Sequence, residues 1–600
     1  MDTTTTIADI RSLANEWLRL DKDPDTSSEI QRLVDEGNEQ ELEKRLRCRI
    51  KFGTAGLRAR MEAGFARMNS LTVIQASQGL AEHLLRMDGD AKTKGVVIGR
   101  DARFNSAKFA KLAASAFLHK GFKVYYMGLV HTPLVPFAIT HHNAVGGVMV
   151  TASHNPARDN GYKVYMSNGC QIISPFDSLI ANSIEKNLEP LTWETDHIHY
   201  ETPGIIDGLK GAGGKYMQAV CKHSTLKSVV SCPNLYPRKR VKFTYTPMHG
   251  VGLSYFKEML GLMGMADDMH VVKSQANPDP KFPTVPFPNP EEKGALQEAM
   301  NVADRHGDQF ILAHDPDADR FAAAQKVGGT WKQFTGNQIG VLFADFLWFR
   351  IWEKIPDRGE IAVLTSAVSS RMVFDMAKSW TKTRSAVRTI ETLTGFKWLG
   401  NQARDYEQST GGKTMFAYEE ALGYMIPGVV YDKDGIAAAA LFLAMCICLR
   451  KHAHTPWDKL QELYRLHGYY EEANTYVISP SPEVTNQVFA DIRAKNPSAI
   501  GTSKITRCRD MTLGYDSGTK DLKPVLPIDP SSQMITCELD EGDVVFTVRG
   551  SGTEPKIKIY IEARAKESAD VAQEKAQTVL RALLSDWFNT KKYGLRLAGS

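Results

Sequence analysis

Short β-branched and apolar runs, each ending abruptly in small or polar residues, recur along this 600-residue chain and constrain its fold more than any other feature. Gly95-Val-Val-Ile-Gly99 is followed by a helical stretch from Ser106 to His119, then by Lys123-Val-Tyr-Tyr126 and Gly147-Val-Met-Val150. The rhythm restarts at Val241–Tyr245 and Phe310–Ala313, and again at Ile361–Leu364 and Thr414–Ala417. Such alternation predicts parallel strands joined by crossover helices, in about three α/β units. After Gly468 the strand-like runs Thr475–Ile478, Val544–Thr547 and Ile557–Ile561, with a helical Ser568–Trp587, predict a small α+β domain. Expected boundaries are 1–230, 231–340, 341–467 and 468–600. Breaks are read at Glu201–Gly214, which is glycine-rich, and at Ser231–Arg240. Asn277–Pro290 holds six prolines in 14 residues, which excludes helix and central strand and leaves a stiff ordered loop or a linker.

Composition narrows the function classes. Lys and Arg total 73 against 69 Asp and Glu, a formal charge of +4, so no broad electrostatic attraction to nucleic acid or anionic membrane is expected. The longest apolar run, Ile436–Leu449, is too short for a hydrocarbon core and reads as a buried helix. No secretory signal is read at the N-terminus, where a charged helical stretch begins directly. Eight cysteines are sparse, with no zinc-site spacing, and read as reduced, buried thiols of a cytoplasmic protein.

Four segments carry chemistry. Thr151-Ala-Ser-His-Asn-Pro156 follows a strand, with His154 beside Ser153 and Lys163 ten residues on. It reads either as an activated serine with a nearby base or as a turn that ends a strand. It is not a Gly-x-Ser-x-Gly elbow. His314-Asp-Pro-Asp-Ala-Asp-Arg320 places three carboxylates at alternate positions, able to converge on a hard cation. An EF-hand fails, because Arg320 and Lys326 stand where Gly and Glu belong, so a Mg²⁺ site completed by phosphate oxygens fits better than a solvated acidic turn. Arg549-Gly-Ser-Gly-Thr-Glu-Pro555 reads as an anion cradle or as a hairpin loop. Phe416-Ala-Tyr-Glu-Glu420 reads as a sugar-hydroxyl contact or a helix cap. Thr394-Gly-Phe-Lys397 and Lys51–Arg58 are small-residue turns carrying cations. Gly250-Val-Gly252 lacks the third glycine of a dinucleotide fingerprint and is discounted.

Taken together and in order, TASHNP, DPDADR, the Glu-Glu turn and RGSGTEP strongly resemble the α-D-phosphohexomutase superfamily over nearly the whole chain. The spellings FGTAGLRA, DNGYKVY and FAYEEALGY resemble its phosphoglucomutase-2/phosphopentomutase subgroup. The resemblance implies a four-domain α/β architecture, three related α/β domains with mixed sheets and a C-terminal α+β domain around a central cleft. It implies a phosphosugar mutase working through a phosphoserine at Ser153 and a bisphosphorylated sugar, glucose 1,6-bisphosphate or ribose 1,5-bisphosphate. Asp315, Asp317 and Asp319 would hold Mg²⁺ together with the Ser153 phosphate. Lys163 would be the leading general base, with burial among cations expected around it, and His154 would support the serine loop. Arg58 and Arg103 would add positive charge near Ser153, and Arg320 would contact phosphoryl or sugar. Thr394, Gly395, Lys397, Glu419 and Lys433 would line the sugar side. Arg549, Ser551, Gly552, Thr553 and Lys558 would hold the non-reacting phosphate. Ala421 stands where many hexose-specific relatives have Ser, so ribose and deoxyribose phosphates are expected to be accepted alongside glucose phosphate. Alternatives on the same scaffold are a glucose 1,6-bisphosphate synthase and a non-catalytic sugar-phosphate-binding protein. The partners expected are small-molecule sugar phosphates, with no nucleic acid and no membrane, and the oligomeric state is left open.

Overall fold

The computed structural model describes residues 9–53, 56–223, 240–352, 359–381, 387–530, 532–551 and 556–597. The chain forms two compact units. One comprises the chain up to Ile361 together with Gly395–Ala453, and the other comprises Ala362–Thr394 and everything from His454.

In the first unit, strands Val96–Arg100, Val124–Leu129, Gly146–Val150 and Ile205–Asp207 run parallel. Asp159–Met166 and Leu57–Arg60 add antiparallel at one side, giving a mixed six-stranded sheet. Val96–Arg100 lies between Gly146–Val150 and Val124–Leu129, so the strand order reverses beside it, the place where open α/β sheets bind their ligands at the carboxyl ends of the strands. Helix Ser106–His119 has the predicted bounds and buries Phe109, Leu112 and Phe117 against the sheet. The stretch Glu201–Gly214, read as a break, contains the edge strand Ile205–Asp207 and starts the helix Ala212–His223. A three-residue edge strand is too short to leave a period, so glycine content dominated the reading. The other break, Ser231–Arg240, lies outside the described residues except for its last.

A second mixed sheet places Phe243–Thr246 between Met269–Val271 and Phe310–His314, all parallel, with Phe321–Val327 and Thr330–Gln333 antiparallel beyond. The proline-rich Asn277–Pro290 is an ordered loop without regular structure. His249 N–H donates to Gln275 O at 3.0 Å and Asp279 N–H donates to His249 O at 2.9 Å, fixing its start. Strands Lys413–Glu419 and Gly423–Met425 form an antiparallel pair with Glu419 opposite Gly423. Helix Gly435–Arg450 is the predicted buried apolar helix, capped by Asp434 Oδ1 accepting from Ala437 N–H at 3.0 Å. Among the described residues no helix is long and apolar enough to cross a membrane. Cys446 and Cys448 are buried as expected, but Cys48 is exposed, so the buried reading does not hold for every thiol.

Three N-terminal helices, Ile10–Leu20, Pro24–Asp35 and Glu39–Leu46, pack around Trp17, whose ring meets Phe65 edge-on at 5.1 Å. The second unit is built on a nine-stranded sheet whose pairings are antiparallel. It includes Val544–Gly550 beside Lys556–Ala565 and is backed by helix Ala569–Ala582.

Gly250, discounted as a dinucleotide glycine, has a packing reason. A Cβ there would sit 2.3 Å from Pro316 Cα in the aspartate loop. Gly250→Ala is therefore expected to destabilise by about 1–3 kcal/mol. Gly261→Ala, at a helical position with nothing within 4 Å, is expected to stabilise by about 0.5–1 kcal/mol. Thermal and denaturant unfolding of the two variants checks both signs.

Candidate active site

Ser153 follows strand Gly146–Val150 and lies at φ +52°, which turns its hydroxyl out of the strand direction. Its N–H donates to Thr151 Oγ1 at 2.9 Å, and Thr151 Oγ1 donates to Asp101 Oδ2 at 2.8 Å. Asp101 also receives Ser106 Oγ at 2.6 Å and Arg103 N–H at 3.0 Å. Arg103 spends its guanidinium on the loop itself, donating to the carbonyls of Ser153 and Asn155 at 2.5 Å and of Pro156 at 2.8 Å. Phe282, from the proline-rich loop, stacks on that guanidinium at 4.9 Å. Arg103 therefore brings its charge to the serine loop as part of its scaffold. Asp101 and Phe282 escaped the sequence reading, although Asp101 sits in the Gly99–Arg103 segment that pointed to Arg103.

The aspartate loop closes a hairpin between Phe310–His314 and Phe321–Val327, with His314 opposite Phe321. Asp315, Asp317 and Asp319 are fully buried, and their ligand oxygens lie within 4.8 Å of one another. The two sheets bring this loop to the serine: Ser153 Oγ donates to Asp315 Oδ2 at 2.7 Å and lies 3.2 Å from His154 Nδ1. Lys163, opposite Met149 on strand Asp159–Met166, donates to Asp317 Oδ2 and Asp319 Oδ2, both at 2.7 Å. Carboxylates, not cations, are thus its immediate neighbours, contrary to the expected surroundings. Thr132 Oγ1 donates to Asp317 Oδ2 at 2.5 Å, a contact no motif announced.

The electrostatics follow from burial and crowding. Burial, then the charges of Asp317 and Asp319, raises the Asp315 carboxyl well above the usual range. At Asp317 burial acts the same way, but the Lys163 ammonium and the donors Lys163 and Thr132 outweigh it and hold the group below its usual range. Burial and the neighbouring Arg320 and Arg58 guanidinia push His154 well below its ordinary value, so it is neutral near pH 7. Arg58, on strand Leu57–Arg60, donates to Asn155 Oδ1 at 3.4 Å, and burial lowers its proton affinity. Burial works against charge on Arg320 too, but Asp315, Glu419 and Asp319 more than compensate.

Lys433 Nζ reaches Asp319 Oδ2 at 3.2 Å and lies 5.7 Å from the Phe396 ring. Glu419 ends its strand buried, and burial pushes its carboxyl up to about 7, with Lys433 opposing. Gly395, at φ +105°, precedes helix Phe396–Thr410, and Lys397 opens that helix with Nζ 6.0 Å from the Trp398 ring. In the second unit Arg549 Nη1 donates to Thr394 Oγ1 at 2.9 Å and Nη2 to Tyr560 Oη at 3.3 Å. Lys558 lies directly across the ladder from Arg549. Ser551 N–H donates to Lys556 O at 2.8 Å, closing the loop base. Gly552 and Thr553 lie outside the described residues.

The aspartates fit a metal ion. Oδ1 of Asp317 and Oδ1 of Asp319 are buried without a hydrogen-bond partner among the described residues, whereas their Oδ2 atoms are engaged. Unpartnered buried anionic oxygens beside a third carboxylate suit a hard divalent cation.

Profiles of the phosphoglucomutase/phosphomannomutase α/β/α domains I, II and III match residues 49–190, 226–328 and 335–466, and the profile of the C-terminal domain matches 526–580. The chain is 44% identical to a probable phosphoribomutase of Schizosaccharomyces pombe, covering 98% of this chain and 99% of that one. It is 40% identical to the phosphopentomutase of Homo sapiens, covering 97% and 96%. It is 38% identical to the Homo sapiens glucose 1,6-bisphosphate synthase, covering 97% and 94%. A putative phosphomannomutase from Thermus thermophilus shares the fold with a TM-score of 0.63 at 22% identity, over 89% of this chain and 99% of that one. The arrangement is that of a phosphoryl-transfer enzyme acting on sugar phosphates. The chain belongs to the phosphoglucomutase/phosphomannomutase family, within the α-D-phosphohexomutase superfamily, and is a phosphosugar mutase.

A divalent cation in the triad should stabilise the fold by mass action, by about 2.7 kcal/mol at roughly 100 times its Kd. Thermal unfolding with and without added Mg²⁺ reads this as a rise in midpoint, and Asp319→Asn is expected to abolish the rise.

Proposed function

We propose that the enzyme interconverts ribose 1-phosphate and ribose 5-phosphate, and the corresponding deoxyribose phosphates, while also accepting glucose 1-phosphate. The observation that carries the chemistry is the convergence of the Ser153 hydroxyl, the aspartate triad and Lys163 through 2.7 Å contacts. The pentose preference is supported by the names of relatives at 44% and 40% identity and by Ala421, where a serine would offer a further sugar contact.

In this reading a phosphoryl group carried on Ser153 Oγ passes to a sugar hydroxyl. The Oγ–P bond breaks, a new O–P bond forms, the hydroxyl proton passes to a base, for which Lys163 is the leading candidate, and the departing Ser153 Oγ takes up a proton to return to the hydroxyl. Asp315, Asp317 and Asp319 would hold Mg²⁺, which would supply positive charge beside the phosphoryl oxygens. Arg58 and Arg320 add fixed charge, while His154 and Arg103 hold the serine loop. Glu419 and Lys433 orient sugar hydroxyls, and Thr394, Gly395 and Lys397 serve the sugar side. Arg549, Ser551, Gly552, Thr553 and Lys558 hold the phosphate that is not reacting. The bound bisphosphate, ribose 1,5-bisphosphate or glucose 1,6-bisphosphate, then turns over and its other phosphoryl group returns to Ser153. Domains 1–230, 231–340, 341–467 and 468–600 would each contribute one of these loops, in a cytoplasmic enzyme.

Position exchange of phosphate on ribose 1-phosphate and glucose 1-phosphate tests this, with intact-mass detection of phosphorylated Ser153. The expected result is higher kcat/KM on the pentose and loss of exchange in Ser153→Ala. A strong glucose preference overturns the substrate assignment. Accumulation of glucose 1,6-bisphosphate from 1,3-bisphosphoglycerate, in place of exchange, favours the synthase activity named for the relative at 38% identity.

The raised Glu419 carboxyl gives a pH signature. The ionised carboxylate accepts sugar hydroxyls more strongly, and with more acceptor sites, than the protonated acid, so kcat/KM is expected to fall as pH drops through about 7. Glu419→Gln should lower the plateau roughly tenfold and remove that acidic limb. A limb that persists in the variant belongs to the substrate phosphate instead.

A further inference from the structure

Thr132 stands in no motif that carries chemistry, yet it makes two bonds to one member of the aspartate triad. It lies in the short connection after strand Val124–Leu129, at the carboxyl end of the serine-bearing sheet, and is fully buried. Its hydroxyl donates to Asp317 Oδ2 at 2.5 Å, and its backbone N–H donates to the Asp317 carbonyl at 2.9 Å. Main chain and side chain of Asp317 are therefore both held by a residue from the other sheet. The connection is itself fixed. Val135 N–H donates to Thr132 O at 3.1 Å, and His131 packs against the rings of Tyr216 and Tyr255 at 4.9 and 4.1 Å.

The carboxylate has two different oxygens as a result. Oδ2 receives Thr132 and Lys163, whereas Oδ1 has no partner among the described residues, like Oδ1 of Asp319. A lysine ammonium attracts without strong directional demand, but a hydroxyl on a β-branched side chain donates along a defined line. Pinning one oxygen by such a donor restricts rotation about the Cβ–Cγ bond and keeps the other aimed in one direction.

We propose that Thr132 is a positioning residue that presents Asp317 Oδ1 to the divalent cation and thereby sets the affinity of the triad for it. The inference rests on the reading that the triad holds such a cation. Outer partners of metal-ligating carboxylates are typically worth roughly 10–100-fold in affinity.

Titration calorimetry with Mg²⁺ on the full-length wild type, Thr132→Val, Thr132→Ser and Asp317→Asn, each first stripped with EDTA, tests the role directly. Thr132→Val is expected to weaken Mg²⁺ binding roughly 10–100-fold, Thr132→Ser to restore it, and Asp317→Asn to lose it. In turnover assays Thr132→Val should need more Mg²⁺ for half-activation while KM for sugar phosphate at saturating Mg²⁺ stays unchanged. Thr132→Ala removes the same hydroxyl, carries the same expectation and replaces the valine variant if that fails to fold. Undiminished binding by the valine or alanine variant beside loss in Asp317→Asn overturns the positioning role and leaves the triad reading intact. Equal weakening in the serine variant overturns it as well, because the hydroxyl is then irrelevant. Undiminished binding by Asp317→Asn overturns the cation reading itself.

Discussion

Three carboxylates buried within 4.8 Å of one another set the terms for everything around them. Such a cluster repels itself strongly away from water and persists only beside matching positive charge and directed donors. The chain meets that demand from several places: Lys163 and the Ser153 hydroxyl from the first sheet, Arg320 from the same hairpin, and Lys433 from the turn before the buried helix. The balance is electrostatic before it is catalytic. A cation and a dianionic phosphoryl group entering together add opposite charges to a site already poised between them.

Two sheets converge on this cluster because each presents the carboxyl ends of its parallel strands where strand order reverses. The serine loop is shaped from behind by Asp101, which takes donors from Thr151, Ser106 and Arg103, and by Arg103, which ties down three loop carbonyls. Phe282 explains why a proline-dense segment packs here: its stiff backbone brings a ring onto the Arg103 guanidinium. Helix Gly435–Arg450 begins equally close to the aspartate loop, since a Cβ on Gly435 would lie 2.4 Å from the Arg320 carbonyl.

Much of this was legible in the sequence because the signals are local. Strand runs ending in polar residues located Ser153, the aspartates and Glu419, and helix Ser106–His119 and strand Thr475–Ile478 have the bounds their patterns predicted. Alternate spacing of Asp315, Asp317 and Asp319 led to a cation site once the EF-hand positions failed. What escaped was long-range. Lys163 was expected among cations, and only the pairing of two sheets reveals two aspartates at its Nζ. Thr132 and Phe282 act through partners well over a hundred positions away, and nothing in their own neighbourhoods announces it, while Asp101 joins local donors at Arg103 and Ser106 to the distant Thr151. Gly250, rightly discounted as part of a dinucleotide fingerprint, is constrained instead by the backbone of Pro316.

The left-handed backbone at Ser153 also discriminates between two hydroxyl side chains. A reader of chemistry alone would treat threonine as an equal carrier of phosphate, since both offer an aliphatic alcohol. A β-branched residue is a genuine outlier at that φ, whereas the unbranched serine side chain is strained less. Of the two aliphatic alcohols, the backbone conformation at position 153 therefore favours serine over threonine.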